Sequence, residues 1–88
     1  MKENLSDTFN ITHLEASTNY TIFHFKDGHK EIHAYTLKKY EKEFSQTKAF
    51  SRIHRRFLVN RDFIASHNES EVLLYSGKRL PLARRRRL

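Results

Sequence analysis

The chain contains no cysteine and little glycine, and each shortage excludes some classes of function. Without cysteine among its 88 residues, it can form neither disulfide bonds nor thiolate metal sites. Its two glycines are too few for a glycine-rich phosphate loop, and it has no nucleophile elbow or paired-carboxylate motif. We therefore predict a protein that is not an enzyme and that needs no cofactor.

Long apolar runs are also missing. No stretch approaches the roughly 18 apolar residues that a membrane span needs, and the first residues lack the apolar run of a secretory signal. Apolar residues make up 38% of the chain, which is too many for a disordered protein. We predict one folded domain over residues 1–88, a cytoplasmic location, no membrane partner and no small-molecule substrate.

Positive charge is in excess, and it is concentrated in the second half of the chain. Residues 1–47 carry six basic and seven acidic side chains, whereas residues 48–88 carry eleven basic and three acidic ones. Nine of those eleven are arginines, whose planar fork pairs with phosphates and with guanine edges. Nucleic acid is therefore the leading partner, although charge alone also fits a solvated basic surface with a positive tail.

Most of the chain has the pattern of short strands. Asp27-Gly28 joins two of them and predicts a hairpin with a two-residue turn of positive φ angles. Thr36 is placed to cap a helix over Leu37–Phe44, whose apolar stripe should close one end of the sheet. The predicted strands are Ile11–Glu15, Tyr20–Lys26, His29–Tyr35, Phe50–Ile53, Phe57–Val59, Phe63–Ile64, Val72–Tyr75 and Arg79–Leu82. Pro81 restricts the last strand to an edge or to its own end, and the whole pattern predicts a mainly β open sandwich of small antiparallel sheets.

The segment Phe50–Asn60 alternates bulky apolar residues with cations. The apolar residues should anchor the backbone in the core, so that Arg52, Arg55 and Arg56 project from a braced segment. The run Arg84–Arg87 follows the last predicted strand, so its first member should be held while the later ones trail as unspecific phosphate contacts. Specificity and affinity should therefore come from different arginines.

Several motifs match a known family in order and spacing. They are Leu14-Glu15-Ala16, Asn19-Tyr20-Thr21, Asp27-Gly28, Phe50-Ser51-Arg52-Ile53-His54-Arg55, Val59-Asn60 and Leu80-Pro81-Leu82-Ala83-Arg84. Through them the chain resembles the LytTR DNA-binding domain of LytR/AlgR-type bacterial response regulators, from about Leu5 to Arg87. The resemblance implies an elongated fold of small sheets with one short α-helix, whose loops enter successive major grooves of bent DNA.

The resemblance also implies which residues contact DNA. Base-contacting positions fall at Asn19 or Tyr20, at Arg55 and at Arg84. The arginines that we then predict to hold phosphates are Arg52, Arg56, Arg85 and Arg86. Such domains usually carry one more strand before the segment Ile11–Glu15 and a receiver domain before that, and we expect neither in this chain.

We predict sequence-specific binding of duplex DNA at promoter direct repeats, by a bacterial transcription regulator of a two-component system. Whether a second protomer binds the same DNA is left open. Two alternatives also stay open at this point. One is a small basic RNA-binding β-protein, and the other is a protein-interaction module whose basic face meets an acidic partner.

The six histidines do not predict a metal site. His24, His29 and His33 come closest to the spacing of metal ligands. The turn between His24 and His33 puts these two on opposite arms of a hairpin, and no cysteine accompanies them. We interpret them as ordinary strand residues.

Two further side chains have a predicted role. His54 is flanked by Ile53 and Arg55, where it is expected to orient a neighbour or the backbone by hydrogen bonding. The phenylalanines recur at strand spacing and are interpreted as core residues. Tyr20, beside a predicted loop, stays open to base stacking.

Overall fold

The computed structural model describes residues 10–86 and residue 88, which form two antiparallel sheets and one helix. The strands are β1 (Ile11–Ser17), β2 (Tyr20–Phe25), β3 (Lys30–Ala34), β4 (Phe50–His54), β5 (Phe57–Asn60), β6 (Ile64–His67), β7 (Glu71–Leu74) and β8 (Arg79–Pro81), and the helix α1 spans Leu37–Phe44. The first sheet has the order β3-β2-β1-β5-β4, and the second has the order β6-β7-β8. The mainly β fold with one short helix is thus confirmed, and the described residues extend over 39 × 24 × 23 Å.

A first core lies between the five-stranded sheet and α1. Its buried residues are Ile11, Leu14, Phe23, Phe25, Leu37 and Leu58. The predicted helical stripe is confirmed, because Leu37 is buried and Tyr40 and Phe44 pack against the same core. The helix lies across a face of the sheet and does not close its end as predicted: the Tyr40 hydroxyl donates to the Ala34 carbonyl on β3 (2.6 Å), and Phe44 stacks on Phe50 of β4 (4.9 Å between ring centroids).

A second core lies on the opposite face, between this sheet and the three-stranded sheet. Its buried residues are Ile53, Val59, Val72, Leu74 and Leu80. Because successive side chains of a strand point to opposite faces, Leu58 of β5 enters the first core and Val59 enters the second. Full burial of such side chains contributes about 1.5–3 kcal/mol each. β5 is therefore held from both sides.

The β2–β3 turn differs from the predicted one. The Gly28 N–H donates to the Phe25 carbonyl (2.9 Å) and the Phe25 N–H donates to the His29 carbonyl (3.0 Å), which makes a three-residue loop. Gly28 has φ +96°, whereas Asp27 is not among the residues with positive φ. The predicted two-residue turn with positive φ angles is thus wrong, because a turn followed by one left-handed glycine closes this hairpin. Gly77, with φ +95°, repeats the arrangement between β7 and β8.

Two other local predictions need correction. Thr36 stands at the N-cap of α1, but its side chain makes no capping hydrogen bond. Phe63 ends a 3-10 turn, and β6 begins only at Ile64, because the Asn60 side chain accepts the Asp62 N–H (3.0 Å) and turns the chain there. The edge position of the last strand is confirmed. In the part of the chain that the structure describes, no helix is long and apolar enough to cross a bilayer.

Candidate nucleic-acid interface

Apart from Arg52 on β4, the residues predicted to contact DNA lie in three segments that are far apart in the sequence. They are the β1–β2 turn with Tyr20 (residues 18–20), the β4–β5 turn (residues 55–56) and the turn after β8 (residues 84–86). The Ala16 N–H donates to the Arg56 carbonyl (2.9 Å), and the Ala83 N–H donates to the Ile53 carbonyl (2.8 Å). Backbone hydrogen bonds therefore attach the β4–β5 hairpin to the other two segments on either side. We call these three segments together the basic surface.

Strand pairing explains why the β1–β2 turn and the β4–β5 turn lie at the same end of the strands. β1 and β5 are antiparallel, with Glu15 opposite Phe57. The end of β1, where the β1–β2 turn follows, therefore lies beside the start of β5, which comes directly after Arg55 and Arg56. The β2–β3 turn lies at the other end of β2, and so at the end of the sheet away from these two turns.

The side chains of the basic surface are open to solvent. Tyr20 is 52% exposed, and exposed side chains are also those of Asn19, Arg55, Arg56, Arg84, Arg85 and Arg86. Tyr20 thus differs from Phe23 and Phe25, which are buried in the first core as the sequence predicted. Thr18, in the β1–β2 turn, has φ +54°, a conformation that is rare for a β-branched residue and that marks this turn as strained.

His54 orders the backbone of the β4–β5 turn. Its Nδ1 accepts the Arg56 N–H (3.1 Å), which confirms the predicted role of this histidine in hydrogen bonding. Burial lowers the pKa of His54, and nearby positive charges lower it further. Those charges belong to Arg55, Arg56, Arg52 and Arg86. The turn after β8 and the β4–β5 turn therefore contribute to one positive field, which adds to burial in favouring the neutral ring that accepts this hydrogen bond.

Glu15 is an acidic neighbour of the basic surface that sequence reasoning missed. One of its carboxylate oxygens lies 4.0 Å from Nη2 of Arg56, and the other lies 2.8 Å from Nε2 of His24. The only signal for it is its place in the Leu14-Glu15-Ala16 motif. Glu15 thereby pairs Arg56 with β1, although an ion pair with a largely exposed arginine adds little stability.

Arg52 is directed into the protein. Its side chain is only 12% exposed. Nε donates to the His54 carbonyl (2.8 Å), Nη2 donates to the Arg55 carbonyl (2.6 Å), and Nη1 donates to Oε1 of Glu41 on α1 (2.5 Å). The phosphate contact predicted for Arg52 stays a prediction, and this geometry does not favour it.

The segment after β8 folds back. The Arg86 N–H donates to the Ala83 carbonyl (3.0 Å), and Leu88 packs against the second core. The expectation that the later arginines trail is therefore wrong for Arg86, because the backbone is held on both sides of it. Arg87 lies outside the described residues.

The histidines predicted to have no metal role pair with carboxylates. Besides the contact of His24 with Glu15, His33 lies 3.0 Å from Glu31 and His29 lies 2.5 Å from Asp27. Among residues 10–86 and 88, no group of three or more histidine and acidic side chains could hold a metal ion.

Comparison with known proteins gives one family and one fold. The model of the LytTr DNA-binding domain family matches residues 4–87. No curated protein matches the chain. A solved structure to which the chain is similar is the LytTr DNA-binding domain of a methyl-accepting/DNA response regulator from Bacillus cereus, with 23% identity, a TM-score of 0.76, and coverage of 86% of this chain and 72% of that chain. At this identity the likeness shows the fold alone.

Proposed function

Because the chain belongs to the LytTR DNA-binding domain family, and hence binds DNA, we propose that it reads a specific duplex sequence as the output domain of a bacterial response regulator. The family is defined by DNA binding and not by catalysis. The observation that carries the proposal is the joining of three exposed segments, two of which carry arginines, by the hydrogen bonds of Ala16 and Ala83. A braced set of donors loses less conformational freedom on binding than a loose basic tail would.

We keep the base-contacting positions that the family resemblance implies, and the restraint on its backbone supports Arg55 among them. Arg55, in a turn held on both sides, reads a guanine edge through its planar fork. Arg84 and the pair Asn19 and Tyr20 supply the other base contacts from the flanking segments. The arginines that hold phosphates are Arg56, Arg85 and Arg86. In this arrangement turns enter the major groove, and the short helix, packed on the first core, does not.

The test is selection of a randomised duplex library by residues 1–88 at about 150 mM salt, where unspecific attraction to phosphates is reduced. A sequence reader enriches a defined motif. Two short blocks about one helical turn apart would support the predicted direct repeats and a second protomer. Arg55→Ala should fail to enrich the block that its arginine reads, whereas Arg79→Ala removes an equal charge from β8 and should enrich the wild-type motif.

Uniform recovery of all duplexes would contradict the proposal. Competition with single-stranded and duplex RNA would then decide for the RNA-binding alternative, and nuclease-resistant capture of an acidic protein would decide for the interaction module. Enrichment by the chain of residues 1–88 would also establish that these residues suffice as one DNA-binding domain.

A further inference from the structure

We infer that Arg52 is a positioning residue, which holds the β4–β5 turn in the one conformation that presents Arg55 to DNA. The inference rests on the proposed function and assigns Arg52 a task other than phosphate contact. It also gives Glu41, on α1, an indirect part in recognition. Neither side chain needs to touch DNA for this.

The contacts of Arg52 restrain the two backbone torsions of Arg55. The carbonyl of His54 belongs to the peptide plane before the Arg55 Cα, and the carbonyl of Arg55 belongs to the plane after it. Each peptide group is rigid, so the orientations of these two planes define φ and ψ at Arg55. One guanidinium donates to both carbonyls, at 2.8 and 2.6 Å. Arg52 thereby restrains the direction in which the Arg55 side chain leaves the turn.

Other hydrogen bonds complete the restraint on this turn. The N–H of the second peptide plane is that of Arg56, and it donates to Nδ1 of His54 (3.1 Å). The next carbonyl, that of Arg56, accepts the Ala16 N–H (2.9 Å). Three consecutive peptide groups are thus held although Arg55 and Arg56 themselves are exposed. Such order in an exposed turn has little value for the core, but it is what preorganised recognition requires.

Glu41 holds the Arg52 side chain in place from the helix. Its Oε1 accepts from Nη1 of Arg52 (2.5 Å), and the Arg52 side chain is 12% exposed. The charge of Arg52 is therefore offset within the protein before any phosphate approaches. Because α1 is packed through Leu37, Tyr40 and Phe44 against the first core, Glu41 links the turn to that core.

Two variants test this restraint, one at Arg52 and one at its partner Glu41. Arg52→Lys keeps the charge but replaces the planar fork, which serves three acceptors, by a single ammonium. Glu41→Gln keeps the size of the side chain but removes its charge. The matched control is Arg61→Lys, since Arg61 lies at the other end of the same hairpin, is exposed, and donates from Nε to Oγ of Ser51 (2.7 Å).

The probes are the duplex enriched by the wild-type chain and a scrambled duplex of the same composition. We expect Arg52→Lys to lose about tenfold in affinity for the enriched duplex, within the range for one impaired base contact, and to bind the scrambled duplex within about twofold of wild type. Glu41→Gln should lower the ratio of the two affinities in the same direction. Arg61→Lys should leave that ratio unchanged.

A second readout needs no DNA. Hydrogen exchange of the Arg56 amide should become about tenfold faster in Arg52→Lys and in Glu41→Gln than in Arg61→Lys, with the far-UV spectrum and Tm showing that each variant is folded. An unchanged affinity ratio, an equal loss on both duplexes, or unchanged amide exchange would each overturn the inference. If the wild-type chain enriches no duplex, the proposed function fails, and the amide exchange still decides whether Arg52 braces the turn.

Discussion

The exposed arginines of the basic surface differ in what holds their backbone. Arg55 lies between two peptide planes restrained by Arg52, whereas at Arg86 the backbone has one hydrogen bond, from its N–H to the Ala83 carbonyl, and the packing of Leu88 beyond it. A side chain that leaves a fixed backbone in a fixed direction can discriminate between bases. One with more freedom can follow any phosphate.

This difference predicts two kinds of loss on truncation. Arg55→Ala should lose about 1–3 kcal/mol of binding free energy on the enriched duplex and much less on a scrambled one. Arg86→Ala should weaken binding to both duplexes alike. Fluorescence anisotropy titrations at one salt concentration measure both. Equal losses on the two duplexes for Arg55→Ala would remove its base-reading role.

His13 makes the stability of the fold depend on pH. It is 2% exposed, its ring stacks on that of His24 at 4.1 Å, and among the described residues its Nε2 is a buried atom without a hydrogen-bond partner. Burial lowers the pKa of His13 from 6.5 to about 3, with smaller contributions from the charges of His24 and Lys78. The folded protein therefore keeps this ring neutral where an unfolded chain would bind a proton.

The sign follows from that proton. Between about pH 6.5 and pH 3 the unfolded state binds it and the folded state does not, so stability falls as pH falls, by up to about 1.4 kcal/mol per pH unit. Urea denaturation at pH 7.5, 6, 5 and 4 measures the slope. His13→Phe keeps a stacking ring without the titrating group and should lose this share of the slope; a full slope in that variant would assign the proton to another group.

The hairpin turns show what a single glycine does for an element. Gly28 has φ +96°, and nothing lies within 4 Å of the position that a Cβ would take. Gly28→Ala should therefore cost about 1–2 kcal/mol of folding free energy through backbone conformation alone. Affinity for DNA should not change, because this turn lies at the edge of the sheet opposite to the basic surface.

Urea denaturation combined with the anisotropy titration checks both parts of that prediction. Gly28→Asn should lose less stability, since asparagine adopts positive φ more readily than alanine. If Gly28→Ala weakened DNA binding as strongly as it weakened folding, the β2–β3 turn would have to be counted with the interface.

The strands and the helix were predictable because each depends on the spacing of apolar residues within its own segment of the sequence. Alternating apolar residues placed all eight strands, and the stripe of Leu37, Tyr40 and Phe44 placed the helix with its observed bounds. The later start of β6, at Ile64 and not at Phe63, was not predictable, because the Asn60 side chain overrides strand propensity there. The face that the helix covers depends on contacts with β3 and β4, which no local pattern contains.

The site was predictable only in part, for the same reason. The motifs and the family resemblance indicated the three segments of the basic surface. The roles within it depend on groups that folding brings from elsewhere: Glu41 comes from the helix to Arg52, and Glu15 comes from β1 to Arg56. An arginine that serves as a brace and an arginine that faces solvent look alike in a sequence.

At the scale of the whole molecule, the uneven charge predicts a strong dependence on salt. The second half of the chain has eleven basic and three acidic residues. If Arg56, Arg85 and Arg86 each neutralise one phosphate, log K should fall with log salt concentration with a slope of about −2.7 or steeper. Arg86→Ala should reduce the slope by about 0.9. Affinities between 50 and 300 mM salt give the slope, and an unchanged slope in the variant would exclude a phosphate contact there.

The two backbone hydrogen bonds that assemble the basic surface also bear on how the protein folds. Ala16 bonds to Arg56, and Ala83 bonds to Ile53, so each bond closes a long loop of chain. Contacts between such distant segments carry a high entropic cost of closure and slow folding, which is the behaviour of high contact order. A chain whose five-stranded sheet has formed, but whose last strand has not yet docked, lacks Arg84 at its place. If Arg84 contacts a base as we propose, such a chain would lack one of the base contacts.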